Sequence, residues 1–123
     1  MRLLCCGDRN WIDKEFIYRY LEIFHNVLGY TVLIHGAARG ADSIAAEEGA
    51  KLGYEIIPFP ANWEKYGKAA GVIRNQQMLQ EGKPDFVLGF HDNIEQSKGT
   101  KDMISRVKKI GVSYVVLSHS EGV

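Results

Sequence analysis

TVLIHGAARGADSIAAEEGAKLGYEIIP, residues 31–58, decides the fold. Thr31–His35 is apolar and β-branched, a strand that runs into Gly36. Ala41–Leu52 is rich in Ala and compatible with a helix, and Gly53 stops it. Tyr54–Pro58 supplies the next strand. A strand, a helix and a second strand in this order make a crossover unit, and strands apolar on both faces belong to a parallel sheet with helices on either side.

The pattern extends in both directions. Arg2–Cys6 is a short apolar run closed by Gly7. Asp13 reads as the N-cap of a helix running to about Leu28, with Phe16, Ile17, Tyr20, Leu21, Phe24, Val27 and Leu28 on one stripe and Gly29 as the stop. Downstream, residues 59–67 begin among prolines and read as an irregular loop. A helix follows over about 68–80, then a strand at Asp85–Phe90, the polar loop HDNIEQSKG, a helix at Thr100–Ile110 and a strand at Ser113–Leu117. The expected architecture is α/β, a Rossmann-like three-layer sandwich with a mostly parallel five-stranded sheet, formed by one domain over residues 1–123.

Composition narrows the function. The chain has 123 residues, with 15 Lys+Arg against 15 Asp+Glu. A neutral balance argues against a general nucleic-acid binder, which needs a basic footprint. No run approaches the length of a membrane span, and MRLLCCGDRNW reaches charged residues too early for a secretory signal. Adjacent Cys5 and Cys6, alternating across a buried strand, read as small core hydrophobes suited to a reducing cytoplasm. No His or Cys spacing marks a metal site, and no resident cofactor is expected.

Ligands in open α/β sheets sit beyond the carboxyl ends of the strands, which selects four loops. In GDRNW, Gly7 permits a tight turn and close approach of a phosphate, Arg9 offers a charged donor and Trp11 a flat wall. The same loop also reads as a plain strand–helix turn with Asp8 as a local cap. In HGAARGAD, Gly36 and Gly40 frame a helix start whose N–H groups are expected to face a ligand, with Arg39 beside them. Asp42 suits the first helical turn on dipole grounds alone. In the third segment Trp63 and Tyr66 precede Arg74 and Asn75. Arg74 pairs either with a ligand phosphate or with a carboxylate of the fold, Asp42 or Asp85. The fourth loop places Ser97, Lys98, Gly99 and Thr100 at a helix start, where a phosphate contact and ordinary N-capping both fit. Two anion-friendly helix ends on one edge point to a ligand with more than one phosphate, or a phosphate and a sugar. His25 and His119 read as ordinary surface residues.

GDRNW, HGAARGAD, PANWEKYGKAAGVIRNQQM and FHDNIEQSKGTKDM, in that order, together resemble the YspA/cpYpsA-related branch of the SLOG superfamily. The resemblance spans Leu3 to about Val115. It implies a Rossmann-like domain for nucleotides or nucleotide-derived ligands such as NAD or ADP-ribose relatives, forming a homo-oligomer; the cysteines and the missing signal set the expected location as cytoplasmic. Relatives in the LOG group cleave the bond between base and ribose phosphate, and those of the DprA group bind DNA. By motif, Gly7, Arg9, Gly36, Arg39, Gly40, Asp42, Arg74, Asn75, Gly99 and Thr100 line the site.

The chain departs from the LOG signature PGGxGTxxE. Aligned on Gly99-Thr100, the glutamate position is Met103, and Asp102 lies one helical step, about 100°, away. Ser97-Lys98 replaces the upstream glycine pair. The leading expectation is therefore a binding protein for a phosphorylated nucleotide-derived ligand, acting as sensor, carrier or sequestering domain. The alternative is an N-glycosidic hydrolase acting on a nucleotide or NAD-like substrate, with Asp42 and Asp102 as first candidate acids and Asp8 and Asp92 behind them.

Overall fold

The computed structural model describes residues 1–119; residues 120–123, the end of the expected domain, lie outside the described residues. Five strands, β1 (Arg2–Gly7), β2 (Val32–His35), β3 (Glu55–Pro58), β4 (Phe86–Phe90) and β5 (Ser113–Leu117), form one sheet in the order β3-β2-β1-β4-β5. Every pairing is parallel, with Leu3 opposite both Leu33 and Phe86 in the centre. The chain moves outward from β1 to β3, then returns and moves outward the other way through β4 and β5. The reversal falls between β1 and β4.

Between the strands lie α1 (Lys14–Asn26), α2 (Ala41–Leu52), the single turn α3 (Trp63–Tyr66), α4 (Ala70–Gln77) and α5 (Gly99–Ile110). Helices α1 and α2 cover one face of the sheet over a core that includes Leu3, Cys5, Ile17, Leu21, Leu33, Ala45 and Leu88. Helices α4 and α5 cover the other over Leu4, Cys6, Ile34, Met78, Val87, Met103 and Val107. The α/β three-layer sandwich is thus present, and its strands are apolar on both faces because both are roofed. Cys5 and Cys6 face opposite cores as free thiols, and burial pushes both well above the ordinary thiol range.

Three boundaries differ from the sequence reading. Helix α1 ends at Asn26, and Val27 and Leu28 are exposed in a turn rather than buried on the stripe. There the Val27 and Leu28 N–H groups both donate to the Ile23 carbonyl, and the Tyr30 N–H reaches back to the Phe24 carbonyl. The segment read as a loop over 59–67 contains α3, capped by the Asn62 side chain, which accepts from the Lys65 N–H. Helix α4 passes into a π-helical turn over Met78–Gly82, which ends at Lys83 in the left-handed region.

Candidate functional site

A two-lobed cleft opens along the carboxyl edge of the sheet. The first lobe, about 460 Å³, lies at the β1–β4 reversal and is walled by the loops after β1 and β4 and by α4. The second, about 410 Å³, lies towards β2 and β3, between the loop after β2 and the Pro60–Trp63 segment. Arg9, Ala38, Trp63 and Arg74 border both lobes. The Arg9 guanidinium sits 5.8 Å from the centre of the half-exposed Trp63 ring, a cation–π pair on their common border.

The loop after β2 is folded onto itself. Asp42, almost fully buried in the first turn of α2, turns its carboxylate back to accept the Gly36 N–H (2.9 Å) and the Ala38 N–H (3.4 Å). The Ala37 N–H goes to His35 Nδ1 (3.0 Å), and the Ala41 N–H to the Asp8 carbonyl (3.0 Å). Ala37 pays for this compact turn by adopting a left-handed φ of 57°. Gly40, at φ 75°, is needed for another reason: a Cβ there would strike the backbone carbonyls of Asp8 and Arg9. Four N–H groups of this loop, those of Gly36, Ala37, Ala38 and Ala41, are therefore bonded within the protein rather than facing a ligand, while no side chain caps α2 from Gly40.

Arg74 closes the loop from the other side. Its side chain is buried, donating to the Gly36 carbonyl and, through Nε, to Asn75 Oδ1 (3.1 Å). Of the two partners open at the sequence level, Asp42 is the one nearby: the two side chains meet at Gly36, where a Cβ would touch both. Burial drives the Asp42 carboxyl up to about 6 even though Arg74 and the two N–H donors pull it down. Burial, and then the Arg74 charge, lower His35, whose Nδ1 acts as an acceptor.

The loop before α5 is built the other way. Lys98 occupies the N-cap position and no side chain caps from there; Ser97 Oγ accepts only the Thr100 N–H (3.0 Å). Ser97, Lys98, Gly99 and Thr100 all line the first lobe, and nothing lies within 4 Å of where a Gly99 Cβ would stand. Asn75 fixes this end from α4, donating through Nδ2 to the Gly99 carbonyl (3.2 Å) and to Asp102 (3.0 Å). Asp102 also accepts from Arg106 Nε (2.8 Å) at the same Oδ2, which turns its carboxylate along α5. Met103, at the position of the LOG glutamate, is buried in the core beneath α5.

Of the residues singled out in the sequence, Gly7, Arg9, Asp42, Arg74, Asn75, Ser97, Lys98, Gly99 and Thr100 border the first lobe. Gly36 and Arg39 border the second. Gly40 lies behind the wall as a packing residue, and Trp11 is buried against Phe16, Phe90 and His119 rather than lining either lobe. Among the four acids, Asp8 and Asp42 border the cleft. Trp63, Lys68 and His91 also line it. Trp63 was legible as an aromatic before a glycine-flanked helix; Lys68 had no such signal.

His119 is not an ordinary surface residue. Its ring stacks on Trp11 (4.5 Å between centres) and bridges Asp92 through Nδ1 and Asp13 through Nε2, both at 2.9 Å. These two carboxylates raise the imidazole above its usual range, and the bridge lowers both of them. Asp13 meanwhile caps α1 by accepting from the Phe16 N–H. The bridge thus ties the end of β5 to the start of α1 and to the loop that carries His91 and Lys98. Among the described residues, no group of three or more His, Cys, Asp or Glu is placed to hold a metal ion, and no helix is long and apolar enough to cross a membrane.

Residues 1–66 match the profile of the YspA, cpYpsA-related SLOG family. The chain is also 35% identical over 121 residues to the Gene 61 protein of Mycobacterium phage D29, across 93% of this chain and 94% of that protein.

Proposed function

The chain belongs to the YspA, cpYpsA-related SLOG family, whose membership points to a nucleotide-related function, and from that premise we propose that the cleft binds a phosphorylated nucleotide-derived ligand of the NAD, ADP-ribose or nucleotide type, as a sensor, carrier or sequestering domain. The observation that carries the reading is the first lobe. It places the start of α5, where only the Thr100 N–H has a side-chain cap, at the point where the sheet reverses direction, with Lys98, Lys68, Arg9 and Arg74 lining the same lobe. Such a helix end with cations beside it attracts phosphate, and the exposed Trp63 ring offers a face for a base. Met103 in the core and Asp102 bonded to Asn75 and Arg106 favour binding over LOG-type cleavage.

Trapping tests this. The purified protein is incubated with NAD, ADP-ribose, cyclic ADP-ribose and nucleoside monophosphates, desalted and denatured, and the released pool is identified by mass spectrometry. A member recovered intact and enriched supports the binder; no enrichment of any member argues against it.

One observation favours the hydrolase as a second reading. Asp42 borders the first lobe with its carboxyl raised to about 6, within the range a general acid needs. Free base and ribose phosphate accumulating with time, and lost in Asp42→Asn, would select it. A homo-oligomer in the cytoplasm completes the proposal; light scattering of the purified chain tests the first part.

A further inference from the structure

The second lobe does not duplicate the first. Its ionisable lining is Arg9, Arg39 and Arg74, with no carboxylate among the described residues that border it. The first lobe sets Asp8 and Asp42 against its cations. Arg39 is exposed on the loop after β2, and among the described residues neither it nor Arg9 forms an ion pair. Guanidinium forks are donors only; that of Arg74 is held by Gly36 and Asn75, so Arg9 and Arg39 are the two that reach into the cavity, and they select anions over amines, phosphate best of all. Each lobe also falls in the size range of a small-ligand site by itself.

We propose that the second lobe is a separate phosphate subsite, and that the protein takes a phosphorylated dinucleotide with one phosphate-bearing unit on each side of the Arg9–Trp63 pair. This rests on the nucleotide reading of the first lobe and extends it to the size and charge of the ligand. Lys98 holds the phosphate of the unit at the start of α5. Arg39 holds the phosphate of the second unit, which is also the link between the two, and Arg9, reaching both lobes, approaches that phosphate from the shared border.

Titration calorimetry with two probes separates the outcomes: adenosine 5′-monophosphate and the 5′-phosphorylated diadenylate pApA. The expected result is a dissociation constant for pApA at least tenfold below that for the monophosphate, the least that one further charged hydrogen bond is worth. Arg39→Ala collapses that advantage to within about twofold, whereas Lys98→Ala weakens both probes. Thermal melting of both variants confirms that they are folded. Equal affinity for the two probes, or an advantage that survives Arg39→Ala, overturns the second subsite and leaves the nucleotide reading standing. Binding of neither probe to the wild-type protein overturns both.

Discussion

The loops at 36–42 and 97–100 look alike in sequence. Each follows a strand, carries glycine and a cation, and opens a helix of twelve residues. In the folded chain they differ in where their donors go. In the first, the Asp42 carboxylate collects the Gly36 and Ala38 N–H groups, and Arg74 takes the Gly36 carbonyl. In the second, Asp102 also lies in the first turn, but as the fourth residue of α5 where Asp42 is the second of α2, and it turns along α5 to Asn75 and Arg106. Its loop keeps one hydroxyl cap and otherwise borders the cleft. An acidic residue in the first turn can thus seal an anion site or leave it open, depending on which position of the turn it takes and on what stands beside it.

The largest expected effect comes from breaking the sealed loop. Asp42→Ala removes the acceptor for two N–H groups and leaves Arg74 buried without its neighbouring charge, at a cost of about 2–4 kcal/mol in urea unfolding. Wild-type stability in this variant would show that the loop holds itself without Asp42.

The same residue predicts a pH slope. Its folded pKa of about 6 lies above the ordinary 3.8, so the folded chain holds the proton more tightly than the unfolded chain. Stability therefore declines as pH rises through this interval, by at most about 3 kcal/mol, and is level with respect to this group above it. Asp42→Asn should flatten the slope between pH 4 and 6.

Glycine substitutions sharpen the contrast. Gly40→Ala forces a Cβ against the Asp8 and Arg9 carbonyls at a left-handed φ, costing about 1–3 kcal/mol. Gly99→Ala meets open space and should stay within about 0.5 kcal/mol of wild type. Equal losses in thermal melting would mean that the two loops are equally packed.

On the open loop, Lys98→Ala should leave stability within about 0.5 kcal/mol and weaken adenosine monophosphate about tenfold, or about 1.4 kcal/mol. Loss of stability without loss of affinity would make Lys98 structural.

The smallest effect concerns the bridge behind both loops. The raised His119 contributes fully below its ordinary 6.5 and loses that contribution as pH rises through its folded value. The depressed Asp13 and Asp92 lose theirs as pH falls through their own folded values. The bridge is strongest between those limits. Half-exposed as it is, it is worth no more than about 0.2–1 kcal/mol. His119→Ala should narrow the melting difference between pH 5.5 and pH 8; an unchanged difference would show that the bridge does not contribute.

The sequence by itself determined the sheet, the two roofed faces and the edge on which the cleft lies. Those follow from local signals: apolar runs at strand length, glycine at Gly53 and Gly111 to end helices in the left-handed region, and the alternation that makes parallel pairing necessary. It also brought most of the cleft residues to notice, because glycine, arginine and asparagine cluster where strands end. Tertiary structure alone decided what those residues do. Asp42 accepts from Gly36 and Ala38 in a pocket that Arg74, 32 positions away in the chain, closes from the other side. Trp11 went to the core because Phe16, Phe90 and His119 converge on it from three elements, and His119 became a bridge because β5 delivers it between Asp13 and Asp92. A donor's partner is set by distances that exist only after the sheet has closed, and sequence spacing does not carry them.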